Sequence, residues 1–380
     1  MKKTSRILAT VLTLALAAAS LAACGGSSSA PATTAAPAAT EAAATEAAAT
    51  EAAATEAAAE TEAPAAEAPA GEVVTLRFAG SSPESSPAYA ESERFIERCK
   101  EESGGTLNIE FYPYNQLGDA AQVYEEVIMG TIDMGLLNPQ ETITPLAAIG
   151  KIPGTAFSSE EFEKVFGPGS YCDKVTNDAL AEVGITCFGT SFGGITGIAT
   201  NKEAADPADP SVPKGVLVRS PASTAYTSAI KAIGFDATPM AYSEIYTSMQ
   251  TGIVNGYGGG MPHTVIASFS DLVKYYYDYN IVPESLCTMI NTEVYNKLTP
   301  EQQEIIARNF KLLVQESYVD FLTYEEECKD QLREMGIEVI EFSEEERDAM
   351  AAAVRETSWT ELESVFGKEF FDGLRAELGV

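Results

Sequence analysis

Between Pro300 and Gly336 the chain runs without a glycine or a further proline. Thr299-Pro300-Glu301-Gln302 opens that run with a capping residue, a proline at the first helical position and a glutamine three residues after the cap, a combination that sets a helix start. Ile306, Phe310 and Leu313 follow as an apolar stripe. A helix over 300–335 extends on the order of 54 Å at 1.5 Å per residue, well beyond the roughly 30 Å of a small domain. The spacing therefore predicts one element that crosses two lobes.

The other end of the chain cannot fold in that way. Lys2, Lys3 and Arg6 precede an apolar stretch from Ile7 to about Ala19, closed by Leu21-Ala22-Ala23-Cys24. Too short to span a membrane stably, residues 1–24 read as a secretory signal. The small residues before Cys24 resemble a lipobox, which implies an acylated cysteine as the mature N-terminus and a lipid anchor on the outer face of the cell membrane. Residues 25–72 contain only Gly, Ser, Ala, Thr, Pro and Glu, with the repeat ATEAAATEAAATEAAA and no aromatic or basic residue. Such a stretch buries no core and reads as a low-complexity tether.

Residues 73–380 exceed the size at which one hydrophobic core stops growing, so two lobes are expected. The formal net charge of the whole chain is -32, which excludes nucleic acid and anionic lipid as electrostatic partners. Beyond Cys24 lie Cys99, Cys172, Cys187, Cys287 and Cys328, an odd count without a CxxC spacing, which reads as buried free thiols. A single histidine, His263, gives no zinc site and no His-dependent triad. No metal, cofactor or catalytic residue is expected.

Strand and helix signals alternate through this body. Strands are predicted over 74–78, 107–111, 132–137, 185–189 and 216–219, with helices over 87–103 and 119–129. Ser158 with Glu161 and Ser343 with Glu346 form capping boxes for two more helices, the second ending near Gly367. The pattern is α/β, with mainly parallel strands covered by helices.

Three segments carry a family likeness. They are SGGTLNIEFYPYNQLGDAAQVYEEVIMGTIDM over 103–134, KGVLVRSPASTAYTSAIKAIGFDATPMAYSEIYTSMQTGIVNG over 214–256, and KLTPEQQEII through EMGIEV over 297–339. In order and spacing they resemble the solute-binding subunit of tripartite ATP-independent periplasmic (TRAP) transporters, the DctP-like family. The resemblance implies a two-lobed periplasmic-binding-protein-like fold with a long interlobe helix. Lobe I is expected at about 73–194 plus 283–320, and lobe II at about 195–282 plus 321–380. It also implies a receptor that captures a small organic carboxylate and hands it to ion-gradient-driven membrane subunits. A lipoprotein that reports ligand to a membrane sensor is the alternative, and an extracellular enzyme finds no nucleophile elbow or metal motif here.

Arg219 is the principal candidate. It ends a predicted strand before Ser220-Pro221, where α/β folds deliver residues to a cleft, and its guanidinium matches both oxygens of a carboxylate. From the residues alone it reads first as a surface or interlobe salt-bridge arginine; the resemblance implies a ligand clamp. The resemblance further points to Asn138, Tyr242, Ser81 and Thr196 as ligand contacts. Two departures stand out. Gly197 lies nearest the place where many family members carry a second arginine, and Gly259 lies about where a carboxylate-holding asparagine is common. Small residues there suggest a larger pocket or exposed backbone N–H groups, and a preference for a monocarboxylate over compact C4-dicarboxylates. The glycine run 256–260 lacks GxGxxG, since Met261 fills the last place, and follows no clean strand-to-helix entry; a dinucleotide site is rejected. His263, close by, reads as a packing or surface histidine, with ligand contact as the alternative.

Overall fold

Two strands far longer than the rest organise the molecule. In a computed structural model that describes residues 71–114 and 116–380, they run over Ile185–Thr200 and Tyr275–Asn291 and pair antiparallel with each other. The signal, Cys24 and nearly all of the tether lie outside the described residues.

In chain order the strands are β1 (Val74–Gly80), β2 (Leu107–Tyr112), β3 (Met134–Leu137), β4 (Ile185–Thr200) and β5 (Leu217–Ser220). They continue with β6 (Asp236–Pro239), β7 (Gly256–Gly260), β8 (Tyr275–Asn291) and β9 (Glu338–Ile340). The helices are α1 (Pro87–Glu102), α2 (Ala120–Met129), α3 (Ser159–Phe166), α4 (Tyr171–Glu182), α5 (Thr224–Ala232) and α6 (Ile245–Gln250). After them come α7 (Pro262–Ser268), α8 (Thr292–Lys297), α9 (Pro300–Glu334), α10 (Glu344–Phe366) and α11 (Lys368–Leu378).

The sheet order is β2-β1-β3-β8-β4-β7-β5-β6, with β9 beside β8. β1, β2 and β3 are parallel neighbours, as are β5 with β6 and with β7. The long pair joins these groups: β3 meets the end of β8, and β7 meets the end of β4. The β4–β8 register slips between Phe192 and Ile195, opposite Pro283, as expected where a proline enters a central strand. Each half of the sheet has apolar clusters of its own. Phe78, Phe95 and Phe310 lie in one on the first half, and Val218, Ile230 and Tyr279 in one on the second.

The α/β expectation holds, but the sheet is mixed rather than mainly parallel, because β4 and β8 run antiparallel to each other and to β7 and β3, while β9 joins β8 in parallel. β4 extends from the expected 185–189 to Thr200, and β8 carried no clear strand signal. The glycine run is itself β7, which leads through Met261 into α7. Its close neighbours explain the glycines: a Cβ at Gly256 would lie 2.2 Å from the Ala199 carbonyl, and one at Gly258 would lie 2.4 Å from the Ile230 side chain.

α9 is continuous over 35 residues. Its capping box is complete, with Gln302 N donating to Thr299 Oγ1 at 3.2 Å and Thr299 N donating to Gln302 Oε1 at 3.1 Å. Ile305 through Phe321 pack in the first-half core, and Leu332 packs with Ile337, Tyr257 and Tyr276 in the second. α10 begins at the expected Ser343–Glu346 box, and the chain then turns at Gly367 into α11, whose Phe370, Phe371 and Leu374 are buried in the first-half core.

Candidate functional site

Arg219 stands near the end of β5, between Thr238 of β6 and Tyr257 of β7. It is 6 % exposed. Its Nε donates to the Met240 carbonyl at 2.9 Å, and its guanidinium carbon lies 6.0 Å from the centre of the Tyr242 ring. Among the described residues no carboxylate lies within 4.0 Å of it, and neither Nη group has a hydrogen-bond partner. Burial lowers its pKa, opposed by the neighbouring hydroxyls of Tyr242, Tyr257 and Tyr226. A guanidinium so largely buried and left without an anion is costly unless something else supplies the negative charge.

What surrounds it suits an anion. The loop after β5 enters α5, whose N-cap residue Ser223 makes no side-chain cap. Its hydroxyl instead donates to Glu141 Oε2 at 3.4 Å. The first N–H groups of α5 thus keep their partial positive charge. Tyr226, on that helix, donates to Glu284 of β8, and its phenol also meets the Thr196 hydroxyl. Glu284 pairs with Lys151 Nζ at 3.2 Å, and burial pushes the nearby Glu141 carboxyl up. Groups from both halves of the sheet meet here: Arg219, Ser223 and Tyr226 from one, Asn138, Glu141 and Lys151 from the other.

The expected residues fall into place unequally. Asn138, just past β3, donates to the Ser285 carbonyl at 2.6 Å and approaches Glu284 Oε2 at 3.5 Å. Thr196, in β4, is buried and donates to the Val282 carbonyl at 2.9 Å. Tyr242 is 45 % exposed, set edge-on to Phe269 at the rim beside Arg219. Gly259 has φ +79°, and a Cβ there would lie 3.1 Å from the Tyr226 ring. Ser81 lies further off: it contacts the Leu136 carbonyl and lines a small cavity with Tyr112, Gln116 and Leu137.

Neither glycine opens free space. A Cβ at Gly197 would lie 2.5 Å from the Tyr277 carbonyl and 2.7 Å from the Tyr276 hydroxyl, so Tyr276 fills the room there as Tyr226 does at Gly259. His263 faces α9, 5.6 Å from the Tyr324 ring, and burial lowers its pKa to about 4. Lys151, Glu284, Glu141 and Tyr226 were not foreseen. Glu284 did carry a signal, as the one charge in the run Ile281-Val282-Pro283-Glu284-Ser285-Leu286-Cys287. Among the described residues no group of three or more His, Cys, Asp or Glu is placed to hold a metal ion.

Comparison with known proteins places this geometry in context. A family model for bacterial extracellular solute-binding proteins of family 7 (DctP) matches residues 78–363. A TRAP periplasmic solute-binding protein from Ochrobactrum anthropi superposes with a TM-score of 0.73 at 22 % identity, over 81 % of this chain and 95 % of that one. Another, from a Sulfitobacter species with bound β-D-galacturonate, gives 0.69 at 23 % identity, over 81 % of this chain and all of that one (100 %). The sialic acid-binding periplasmic protein SiaP of Vibrio cholerae is 23 % identical over 62 % of this chain and 72 % of its own length.

Proposed function

The chain belongs to the bacterial extracellular solute-binding proteins of family 7, the DctP family, and on that footing we propose how it takes its ligand. It is a transport receptor working outside the cytoplasm, not an enzyme: it captures a small organic acid and delivers it to a TRAP-type membrane transporter. The ligand's carboxylate sits on the two Nη groups of Arg219, within reach of the uncapped start of α5. Tyr242 covers the guanidinium, while Asn138, Thr196 and Gly259 shape the walls, with Ser81 at the periphery. The relatives that bind β-D-galacturonate and sialic acid support an acid as ligand.

One observation carries this reading: Arg219 is 6 % exposed and lacks an acidic partner among the described residues. Lobes of about 73–194 plus 283–320 and 195–282 plus 321–380 close on the ligand, bending where the β4–β8 register slips. Closure is favoured because the ligand binds the closed form more tightly than the open one. A thermal-shift screen of the purified protein against sugar acids, 2-oxo acids, mono- and dicarboxylates and amino acids tests this. A specific acid at 100 times its dissociation constant stabilises by about 2.7 kcal/mol; stabilisation by neutral sugars and by no acid would refute it.

Acylation at Cys24 anchors the mature chain to the outer face of the cell membrane through the tether 25–72. Two or more acyl chains hold a protein where one is marginal. Cys24→Ala is expected to move the protein from the membrane fraction to the soluble or secreted one; unchanged fractionation counts against the anchor.

A further inference from the structure

Arg219 has no acidic partner among the described residues, whereas Lys151, the other cation at this site, has one. Its Nζ lies 3.2 Å from Glu284 Oε2. Asn138 Nδ2 approaches the same oxygen at 3.5 Å, and Oε1 accepts from Tyr226. Glu284 stands next to Pro283, where the β4–β8 ladder is broken, so its carboxylate collects donors from both halves of the sheet. Glu141 adds a second carboxylate whose charge is felt by Lys151, and it holds Ser223 at the start of α5. The charge of Lys151 is therefore met by Glu284 before any ligand enters, and Arg219 is left as the cation that receives one.

Resting on Arg219 as the carboxylate clamp, we infer that Glu284 is a specificity-determining residue of this site: by keeping Lys151 paired it admits ligands of single negative charge and turns away compact dicarboxylates. A second carboxylate would meet Glu284 and Glu141 with no unpaired cation to receive it, combining like-charge repulsion with desolvation. A hydroxyl or ammonium in the same place donates to Glu284 instead. Gly197 and Gly259 do not supply this discrimination, because Tyr276 and Tyr226 occupy the space beside them.

Three four-carbon acids that differ only at the far end test the inference: succinate, 4-hydroxybutyrate and 4-aminobutyrate, titrated calorimetrically into the full chain and into Glu284→Gln. Wild type is expected to bind succinate at least tenfold more weakly than 4-hydroxybutyrate. Glutamine keeps an acceptor for Tyr226 and releases Lys151, so Glu284→Gln gains at least tenfold for succinate and loses affinity for 4-aminobutyrate. Adding Lys151→Met to Glu284→Gln removes the succinate gain. No gain for succinate, whether both proteins bind it or neither does, overturns the inference. Should Glu284→Gln fail to fold, the wild-type order decides, and succinate bound no more weakly than 4-hydroxybutyrate overturns it. Arg219→Met separates the two readings. Loss of all acids there, with no succinate gain in Glu284→Gln, leaves the clamp standing and removes the filter; retained binding removes the clamp itself.

Discussion

Replacing Arg219 by methionine divides its effect on folding from its effect on binding. Methionine keeps much of the side-chain length and none of the charge. In the ligand-free protein the substitution removes one hydrogen bond, from Nε to the Met240 carbonyl at 2.9 Å, worth about 1 kcal/mol. It also removes a buried cation that lacks an anionic partner among the described residues, and such an ion costs several kcal/mol to desolvate. The two effects oppose, and the second is larger. Ligand-free stability is therefore expected to stay within about 1 kcal/mol of wild type or to rise. Binding should collapse, since truncating one partner of a buried charge pair costs roughly 2–5 kcal/mol, or about 30-fold to several-thousand-fold in affinity. Arg219→Lys should be nearly as damaging, because a point charge cannot form the two-pronged bond. Urea denaturation without ligand and calorimetric titration with the acid found by screening read the two effects separately. A ligand-free loss above about 2 kcal/mol would mark Arg219 as a structural residue. Affinity within threefold of wild type would refute the clamp.

Three further outcomes follow from the packing. Glu91 is fully buried with neither carboxylate oxygen hydrogen-bonded, and burial pushes its pKa up from 4.5 to about 8. With the folded value above the unfolded one, its contribution is intact below pH 4.5 and is lost progressively as pH rises from 4.5 to about 8. Glu91→Gln should thus stabilise by about 3 kcal/mol at pH 7 and by little near pH 4.5; equal effects in melts at both pH values count against this. Phe310→Ala in α9 removes a ring stacked 4.1 Å from Phe95 and 5.5 Å from Phe188, and should cost about 3–5 kcal/mol in chemical denaturation. Gly197→Ala forces a Cβ to within 2.7 Å of the Tyr276 ring, so it should destabilise by roughly 1–3 kcal/mol; an unchanged melting temperature would show open space there.

What could be read without a structure was whatever is encoded over a few neighbouring residues. The start of α9 needs only Thr299, Pro300 and Gln302, and its length needs only the absence of breakers before Gly336. The boxes at Ser158 and Ser343 are local in the same sense, and so is the placement of Arg219 at a strand end. Groups that meet across the fold left no such trace. β8 carries a proline, four tyrosines and two acidic residues that hide its period, and it is a strand because β3 and β4 flank it. Gly197 and Gly259 suggested empty room; the rings of Tyr276 and Tyr226, distant in sequence, decide otherwise. The pairing of Lys151 with Glu284 joins residues whose approach depends on how β8 crosses the sheet. Local sequence sets caps, helix length and strand ends through short-range hydrogen bonding and backbone sterics. Only the tertiary structure decides which buried charges find partners, because that depends on distances between segments the chain itself does not connect.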